Sequence, residues 1–142
     1  MYGSLDISTS GMIAQRHRMS VIAANIANRN VILDEHGQVN PYRRREVMFA
    51  PGDPTAATEE GRSLGVHVAD ISINQGPASY HWDPTSPYAF KSGPKAGYVP
   101  DPDVDIVTEQ INAMEASRAY EANVAAAEAS KAMIAQALRL LA

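Results

Sequence analysis

The prolines of this chain are confined to its middle, and their absence elsewhere sets the strongest limit on its fold. All nine prolines lie between residues 31 and 103. From about residue 104 to 141 there is neither proline nor glycine, so nothing interrupts the backbone hydrogen bonds of a helix. We therefore predict a C-terminal helix of about 38 residues, which would reach roughly 57 Å at about 1.5 Å per residue.

The C-terminal segment also carries an apolar stripe at helical spacing. Either Asp103 or Asp105 can cap its start, and Arg139 lies in its last turn, where the helix dipole favours a cation. Two successive steps of three residues meet at Ser117, which predicts local overwinding of a coiled coil. The stripe comprises Val104, Val107, Ile111, Met114, Ser117, Tyr120, Val124, Ala127, Lys131, Ile134, Leu138 and Leu141.

A second helix is predicted at the other end of the chain, from Leu5 to about Asn28. Small or apolar residues recur there in steps of three and four, the heptad spacing of a helix that packs along one seam. Ser4 is the predicted N-cap, and Asp6 would lie in the first turn. The seam comprises Leu5, Ser8, Met12, Gln15, Met19, Ile22 and Ile26, of which Ser8 and Gln15 are polar.

Segment 31–103 is expected to be irregular and β-rich. Alternating apolar and polar residues indicate two main strands, and the second one changes phase at Ala69–Asp70, which predicts a β-bulge. The stretch 50–62, rich in Pro, Gly and Thr, is expected to form a loop, as is the stretch 83–97. Strands are expected at 45–50, 64–74, 78–82 and 97–99.

Composition indicates that the two helices cannot complete each other. Hydrophobic residues make up 45% of the chain, but many are alanines and aromatics are only 6%, so a two-helix seam would bury little area. The predicted fold is mainly α, with long terminal helices that pair as a coiled-coil-like bundle and leave faces for other subunits. Residues 1–30 and 104–142 would form a discontinuous helical assembly domain, and residues 31–103 a central loop and β segment.

Charge and residue usage argue against several function classes. A net charge of −4 does not favour binding to nucleic acid or to an anionic membrane. The chain has no cysteine and its four histidines lack metal-ligand spacing. The stretch 101–112 opens like a calcium loop but has Ile106 and Asn112 where that loop needs Gly and Glu. No catalytic motif, signal peptide or membrane span is present, so we expect no enzyme activity, cofactor, metal or small-molecule substrate.

Four stretches of the sequence resemble the bacterial flagellar rod, hook and axial protein family. They are LDISTSGMIAQRHRMSVIAANIANRN, PYRRREVMF, GVHVADI and YVPDPDVDIVTEQINAMEASRAYEANVAAAEASKAM. The family's hallmark is an Asn-Ile-Ala-Asn core, which stands here at 25–28. The resemblance extends in order over essentially the whole chain and favours a proximal rod subunit over another axial rod subunit. It weakens at Arg29 and Val31 and in the loop 76–96.

This resemblance implies a structural subunit of the flagellar basal-body proximal rod, which assembles helically into the drive shaft that transmits motor torque. The terminal helices would form the inner layer of a tube and the central segment its outer layer. Partners would be copies of the chain, other proximal and distal rod subunits, proteins at the junction of the rod with the MS ring, and the flagellar type III export apparatus. The rod lies in the periplasmic space, and export would need no cleaved signal peptide.

The predicted subunit-assembly interface runs along both helices and includes a basic cluster after the first one. Asn25 and Asn28 would bond to freed carbonyls and neighbouring backbone, or act as a simple C-cap. The cluster would pair with an acidic neighbour or stay solvated. The interface comprises Leu5, Met12, Met19, Ile22, Asn25, Ile26, Asn28, Tyr42, Arg43, Arg44, Met114, Tyr120, Asn123, Val124, Ile134, Leu138 and Leu141.

Two questions stay open at this point, one about a pair of aromatic residues and one about the function. Trp82 and Tyr88 would form either an inter-subunit anchor or a small local core. A coiled-coil chaperone or adaptor module is the alternative to a rod subunit, although a central segment of this size argues against it.

Overall fold

Two long antiparallel helices frame the molecule, and a small β-rich insert lies between them in the chain. The computed structural model describes residues 2–141, with the side chain of Leu141 excepted. The elements follow in the order α1 (Gly3–Ala27), β1 (Arg45–Pro51), α2 (Glu59–Leu64), β2 (Val66–Ile73), β3 (Ser79–Trp82), β4 (Tyr98–Asp101) and α3 (Ile106–Leu141). The predicted fold class, mainly α with a β insert, is confirmed.

The cap at the start of α1 differs from the prediction, whereas the cap at the start of α3 agrees with it. Tyr2, not Ser4, is the N-cap of α1, and its backbone carbonyl accepts the amides of Leu5 and Asp6 at 3.1 Å. The prediction of Ser4 as N-cap was therefore wrong by two residues. At α3, the Asp105 carboxylate accepts the backbone amides of Val107 and Thr108 at 3.2 and 3.4 Å, so Asp105, one of the two predicted candidates, caps this helix.

The insert contains two separate antiparallel strand pairs. β1 pairs with β2, and β3 pairs with β4. Met48 faces Asp70 while the next residue, Phe49, faces Val68, which leaves Ala69 as the extra residue on β2. The predicted bulge at Ala69–Asp70 is confirmed.

The stretch 50–62 is not all loop, because α2 begins within it. The Thr58 hydroxyl accepts the amide of Gly61 at 3.1 Å, which caps this short helix. The same hydroxyl and the Thr58 amide donate to Asp6 of α1 at 2.7 and 2.9 Å. The sequence Thr-Glu-Glu carried this cap signal, and the expectation of a loop overlooked it.

The interior of the molecule is thin and unusually polar. It lies along the α1–α3 seam and where α1 meets the β1–β2 ribbon. Small and polar side chains occupy it because the two long helices approach each other closely. The buried residues along both helices are Gly3, Ser8, Ser10, Gly11, Ala14, Ile22, Asn25, Glu109, Ala116 and Ser130.

Candidate functional site

A buried asparagine joins the end of α1 to the central segment. The Asn25 side chain is 0% exposed and uses all its bonding capacity. Its oxygen accepts the Arg45 amide and the Tyr42 hydroxyl, both at 3.0 Å. Its nitrogen donates to the Arg45 carbonyl at 2.8 Å and to Glu109 of α3 at 3.0 Å. One side chain thus holds three separate parts of the chain together.

Glu109 is the second component of this junction. Its side chain is 0% exposed, and its two oxygens accept Asn25 at 3.0 Å and the Arg44 guanidinium at 2.7 Å. The hydrogen bond from Arg44 to Glu109 is the main reason that the pKa of Arg44 is raised above its ordinary value. Sequence reasoning missed Glu109. An acidic residue in the first turn of a helix is favoured by the dipole in any case, so no local signal distinguishes a buried partner.

We call Asn25, Glu109, Arg44, Tyr42 and the Arg45 backbone the polar junction. The predicted interface included Arg44 as part of a basic patch facing a neighbour. In the structure the Arg44 guanidinium binds Glu109 and Glu46 of its own chain, and its contact with an acidic neighbour stays a prediction. A buried carboxylate is costly unless a cation pairs with it, and Arg44 supplies that cation to Glu109.

The two neighbours of Arg44 in the basic cluster also have partners within the chain. The Arg43 guanidinium donates to the Gly76 carbonyl at 2.8 Å. The Arg45 guanidinium lies over the Tyr42 ring, 5.6 Å from its centroid, in a cation–π contact. These contacts anchor the connection from α1 to β1 on both sides.

The other predicted asparagine ends α1. Asn28 is the C-cap residue, and its side-chain nitrogen and its backbone amide both donate to the Ala24 carbonyl, at 2.8 and 3.0 Å. Asn28 therefore acts as a cap, whereas Asn25 bonds to neighbouring backbone. Both of the readings that the sequence left open are present, one at each residue.

The seam between α1 and α3 depends on close approach. A Cβ on Gly11 would lie 2.7 Å from the Asn123 side-chain oxygen, so any larger residue there would require the Asn123 side chain to shift. Asn123, a predicted interface residue, is held by a bond from its nitrogen to the Ala119 carbonyl at 2.8 Å. Nearer the junction, Arg18 binds Glu115 at 3.2 Å.

The face that α3 presents to this seam is not the predicted stripe. On α3 the buried or contacting positions recur every seven residues at Glu109, Ala116, Asn123 and Ser130. The prediction followed the largest apolar side chains, but close helix approach selects small ones. Met114 and Leu138 are 56% and 60% exposed, so they are wrong as members of the seam within one chain.

The remaining predicted interface residues are divided by burial. Ile22 is buried in the seam like Asn25, and Leu141 has its side chain outside the described residues. The half-buried ones are Leu5, Met12, Met19, Ile26, Asn28, Tyr42, Arg43, Arg44, Tyr120, Asn123, Val124 and Ile134. Half-burial within the subunit leaves these side chains with surface for a neighbour.

Trp82 is the last residue of β3, and Tyr88 lies in the loop that joins β3 to β4. The Trp82 ring meets the Tyr98 ring edge-on with centroids 5.0 Å apart, and it covers Gly97, whose φ is +85°. A Cβ at Gly97 would lie 2.6 Å from this ring. Trp82 is nevertheless 61% exposed, so it makes a local contact and keeps a free face.

Residues 2–141 contain neither a metal-binding cluster nor a helix that could span a membrane. No three His, Asp or Glu side chains there are grouped closely enough to hold a metal ion. Within the same range, neither long helix is apolar enough to cross a bilayer.

Both long helices match known protein families. Residues 5–31, which cover α1, match the family described as Flagella basal body rod protein. Residues 95–140, which cover β4 and most of α3, match Flagellar basal body rod FlgEFG protein C-terminal.

Named relatives extend this likeness to the whole chain. The flagellar basal-body rod protein FlgC of Borreliella burgdorferi is 37% identical over 99% of this chain and 97% of its own length. This chain belongs to the FlgC family of flagellar basal-body rod proteins. FlgC of Escherichia coli is 38% identical over 95% of this chain and 93% of its own, and FlgC of Bacillus subtilis is 32% identical over 98% and 97%.

Membership of the FlgC family makes the chain a structural subunit of the flagellar basal-body rod. The family resemblance inferred from the sequence is thereby confirmed. The role of such a subunit is structural, in agreement with the expectation that the chain is not an enzyme.

Proposed function

We propose that this subunit stacks helically with copies of itself and with other proximal and distal rod subunits to form the drive shaft that carries motor torque. The observation that carries the proposal is the exposure of large apolar side chains on both ends of α3, at Val107, Ile111, Met114, Met133 and Leu138. Exposed apolar area of this kind marks a protein–protein contact. A neighbouring subunit is the partner that would cover it.

The polar junction supports the assignment of separate inner and outer layers of the tube, joined within each subunit. Residues 1–30 and 104–142 would form the inner layer of the tube, and residues 31–103 the outer layer. Asn25 and Glu109 bond the inner helices to the start of β1, so torque on one layer passes to the other through hydrogen bonds inside each subunit. The predicted interface residues on α1 and α3 would contact neighbours in the inner layer.

The proposal also includes the export route of the subunit and its location in the cell. The subunit would leave the cytoplasm through the flagellar type III apparatus and join the rod where it crosses the periplasm, next to the proteins that connect the rod to the MS ring. Chemistry at a catalytic group has no part in this role.

A substitution at the exposed end of α3 tests the proposal. Leu138→Asp places a charge where we expect an apolar subunit contact, so basal bodies should lack the variant and cells should lose motility. Gln136→Asp is the matched control, because Gln136 is exposed on the same helix. Motile cells with normal rods that contain Leu138→Asp would contradict the proposed contact.

Fractionation tests the role as a whole. A rod subunit purifies with basal bodies, whereas a chaperone or adaptor stays in the soluble fraction. Finding the unmodified chain only in the soluble fraction of flagellated cells would refute the proposal.

A further inference from the structure

The register of the two long helices leaves one end of α3 uncovered. Asn25 lies level with Glu109, Arg18 with Glu115, and Gly11 with Asn123. Continuing this register brings Gly3, the first residue of α1, level with Lys131. The last ten residues of α3 therefore extend about 15 Å beyond α1, and among residues 2–141 only α1 makes an extensive contact with α3.

Exposed apolar residues lie at both ends of α3 in matching positions. The N-terminal patch is Val107, Ile111 and Met114. The C-terminal patch is Met133, Ile134 and Leu138, of which Ile134 is half-buried. A step of four residues separates Val107 from Ile111 and also Ile134 from Leu138. The two patches therefore have the same internal spacing and are 27 residues apart, which is about 7.5 helical turns, so they face opposite sides of α3.

The charges at the two ends are opposite. Residues 101–115 contain three Asp and two Glu and no Lys or Arg, whereas residues 131–141 contain Lys131 and Arg139 and no acid. Both sets also favour the dipole of α3 itself. Between two copies, however, they attract when one C-terminal end meets the other N-terminal end, and they repel when like ends meet. With the 27-residue shift, Lys131 comes level with the segment between Asp103 and Asp105.

From this complementarity we infer that the C-terminal patch of one subunit docks on the N-terminal patch of α3 in a second copy of the chain. The two α3 helices would run parallel with an offset of about 40 Å. Such a head-to-tail contact uses two different surfaces, so it does not close on itself and can propagate along a stack. The inference rests on the proposed function and specifies which surfaces of two copies meet.

The absence of native cysteine permits a direct test by cross-linking. Ile111→Cys and Leu138→Cys lie on one continuous helix, about 40 Å apart within a single chain. A disulfide needs Cα atoms within about 7 Å, so any bond between them joins two subunits. After oxidation, basal bodies that contain the double variant should yield a ladder of covalent multimers. Cells that express the two single variants together should yield dimers only.

A second cysteine pair and a control keep the outcome decisive. Val107→Cys with Ile134→Cys has the same offset and should also give a ladder, whereas Gln110→Cys with Gln136→Cys, exposed on other faces of α3, should not. If both patch pairs enter basal bodies and neither cross-links, or if only the control pair does, the stacking inference is overturned and the rod function stands. If the unmodified chain is absent from basal bodies, the proposed function fails instead.

Discussion

The two ends of the helix pair are built in opposite ways. At one end, Asn25 and Glu109 are completely buried, and every polar atom of Asn25 is bonded within the chain. At the other end, the last turns of α3 extend beyond α1 and expose Met133, Leu138 and Leu140. At the polar end the hydrogen bonds are all made within one subunit, whereas at the apolar end the exposed side chains are available for contacts between subunits.

The difference shows how a small chain separates folding from assembly. Buried hydrogen bonds need exact donor and acceptor positions, so the polar junction fixes one arrangement of α1, α3 and the central segment. Apolar contacts need only matching area and shape, so they can form later with a neighbour. The four tests that follow compare the two ends, and each is made on the purified subunit.

The largest loss of stability should follow from breaking the polar junction. Arg44→Met leaves the Glu109 carboxylate buried and unpaired, which should lower the free energy of unfolding by about 3–5 kcal/mol in urea denaturation. Glu46→Gln is the control, because Glu46 is the exposed partner of the same arginine at 3.3 Å, and its loss should cost less than about 1 kcal/mol. Equal, small effects of both changes would mean that Glu109 does not depend on Arg44.

A smaller loss is expected in the middle of the seam. Gly11→Ala adds a Cβ that lies 2.7 Å from the Asn123 oxygen, which should cost about 1–3 kcal/mol, partly offset by the better helix propensity of alanine, about 1 kcal/mol. Asn123→Ala removes the clash, so the double variant should be at least as stable as Asn123→Ala alone. A double-mutant cycle in urea measures this coupling. Additive effects would show that the helices do not approach closely here.

The cap of α3 should contribute a small, pH-dependent stability. The hydrogen bond from the Thr108 hydroxyl is the main cause that lowers the folded-state pKa of Asp105 below its ordinary 3.8. The unfolded state therefore binds a proton first as the pH falls, so this stability is present above about pH 4 and is lost below it.

Asp105→Asn should consequently flatten the fall in unfolding free energy between pH 5 and pH 3. The slope should not vanish, because Asp53 and Asp83 have pKa values lowered by threonine in the same way. Glu128→Gln, which removes an exposed acid elsewhere on α3, serves as control. An unchanged slope for Asp105→Asn would contradict the cap's part in acid sensitivity.

The smallest effect on stability is expected at the exposed end. Leu138→Asp should change the unfolding free energy of the isolated subunit by no more than about 0.5 kcal/mol, because Leu138 is already largely in water. Amide exchange should likewise be faster in the last turns of α3 than in the turn that carries Glu109. A large loss of stability in Leu138→Asp would mean that this end packs within the subunit.

The sequence predicted the elements well because their signals are local. Proline distribution defined the long helices to within a few residues, and the phase change at Ala69 located the bulge. Asp105 and Asn28 were recognisable as caps from residue type and position. The missed cap at Thr58 was equally local, and it was overlooked because a stretch with Pro and Gly nearby was taken as loop.

The site was only partly predictable because its bonds are long-range. Asn25 was singled out as a residue that would bond to neighbouring backbone, but Glu109, 84 residues away, had no signal that linked it to Asn25. The seam was placed on the wrong face of α3 for a related reason. Hydrophobicity ranks Met114 and Leu138 above Ala116 and Ser130, while the distance between helix axes favours the small residues.

By itself, the sequence determined the family, the two long helices, the strands with their bulge, and the presence of surfaces too apolar for a lone subunit. These follow from periodicity, from the restrictions of proline and from caps, all of which act within a few residues. Only the tertiary structure decided which faces of α1 and α3 meet, where Arg44 lies, and which end of α3 stays uncovered. Those outcomes depend on helix separation and on the cost of burying a charge without a partner, and both are set by residues far apart in the chain.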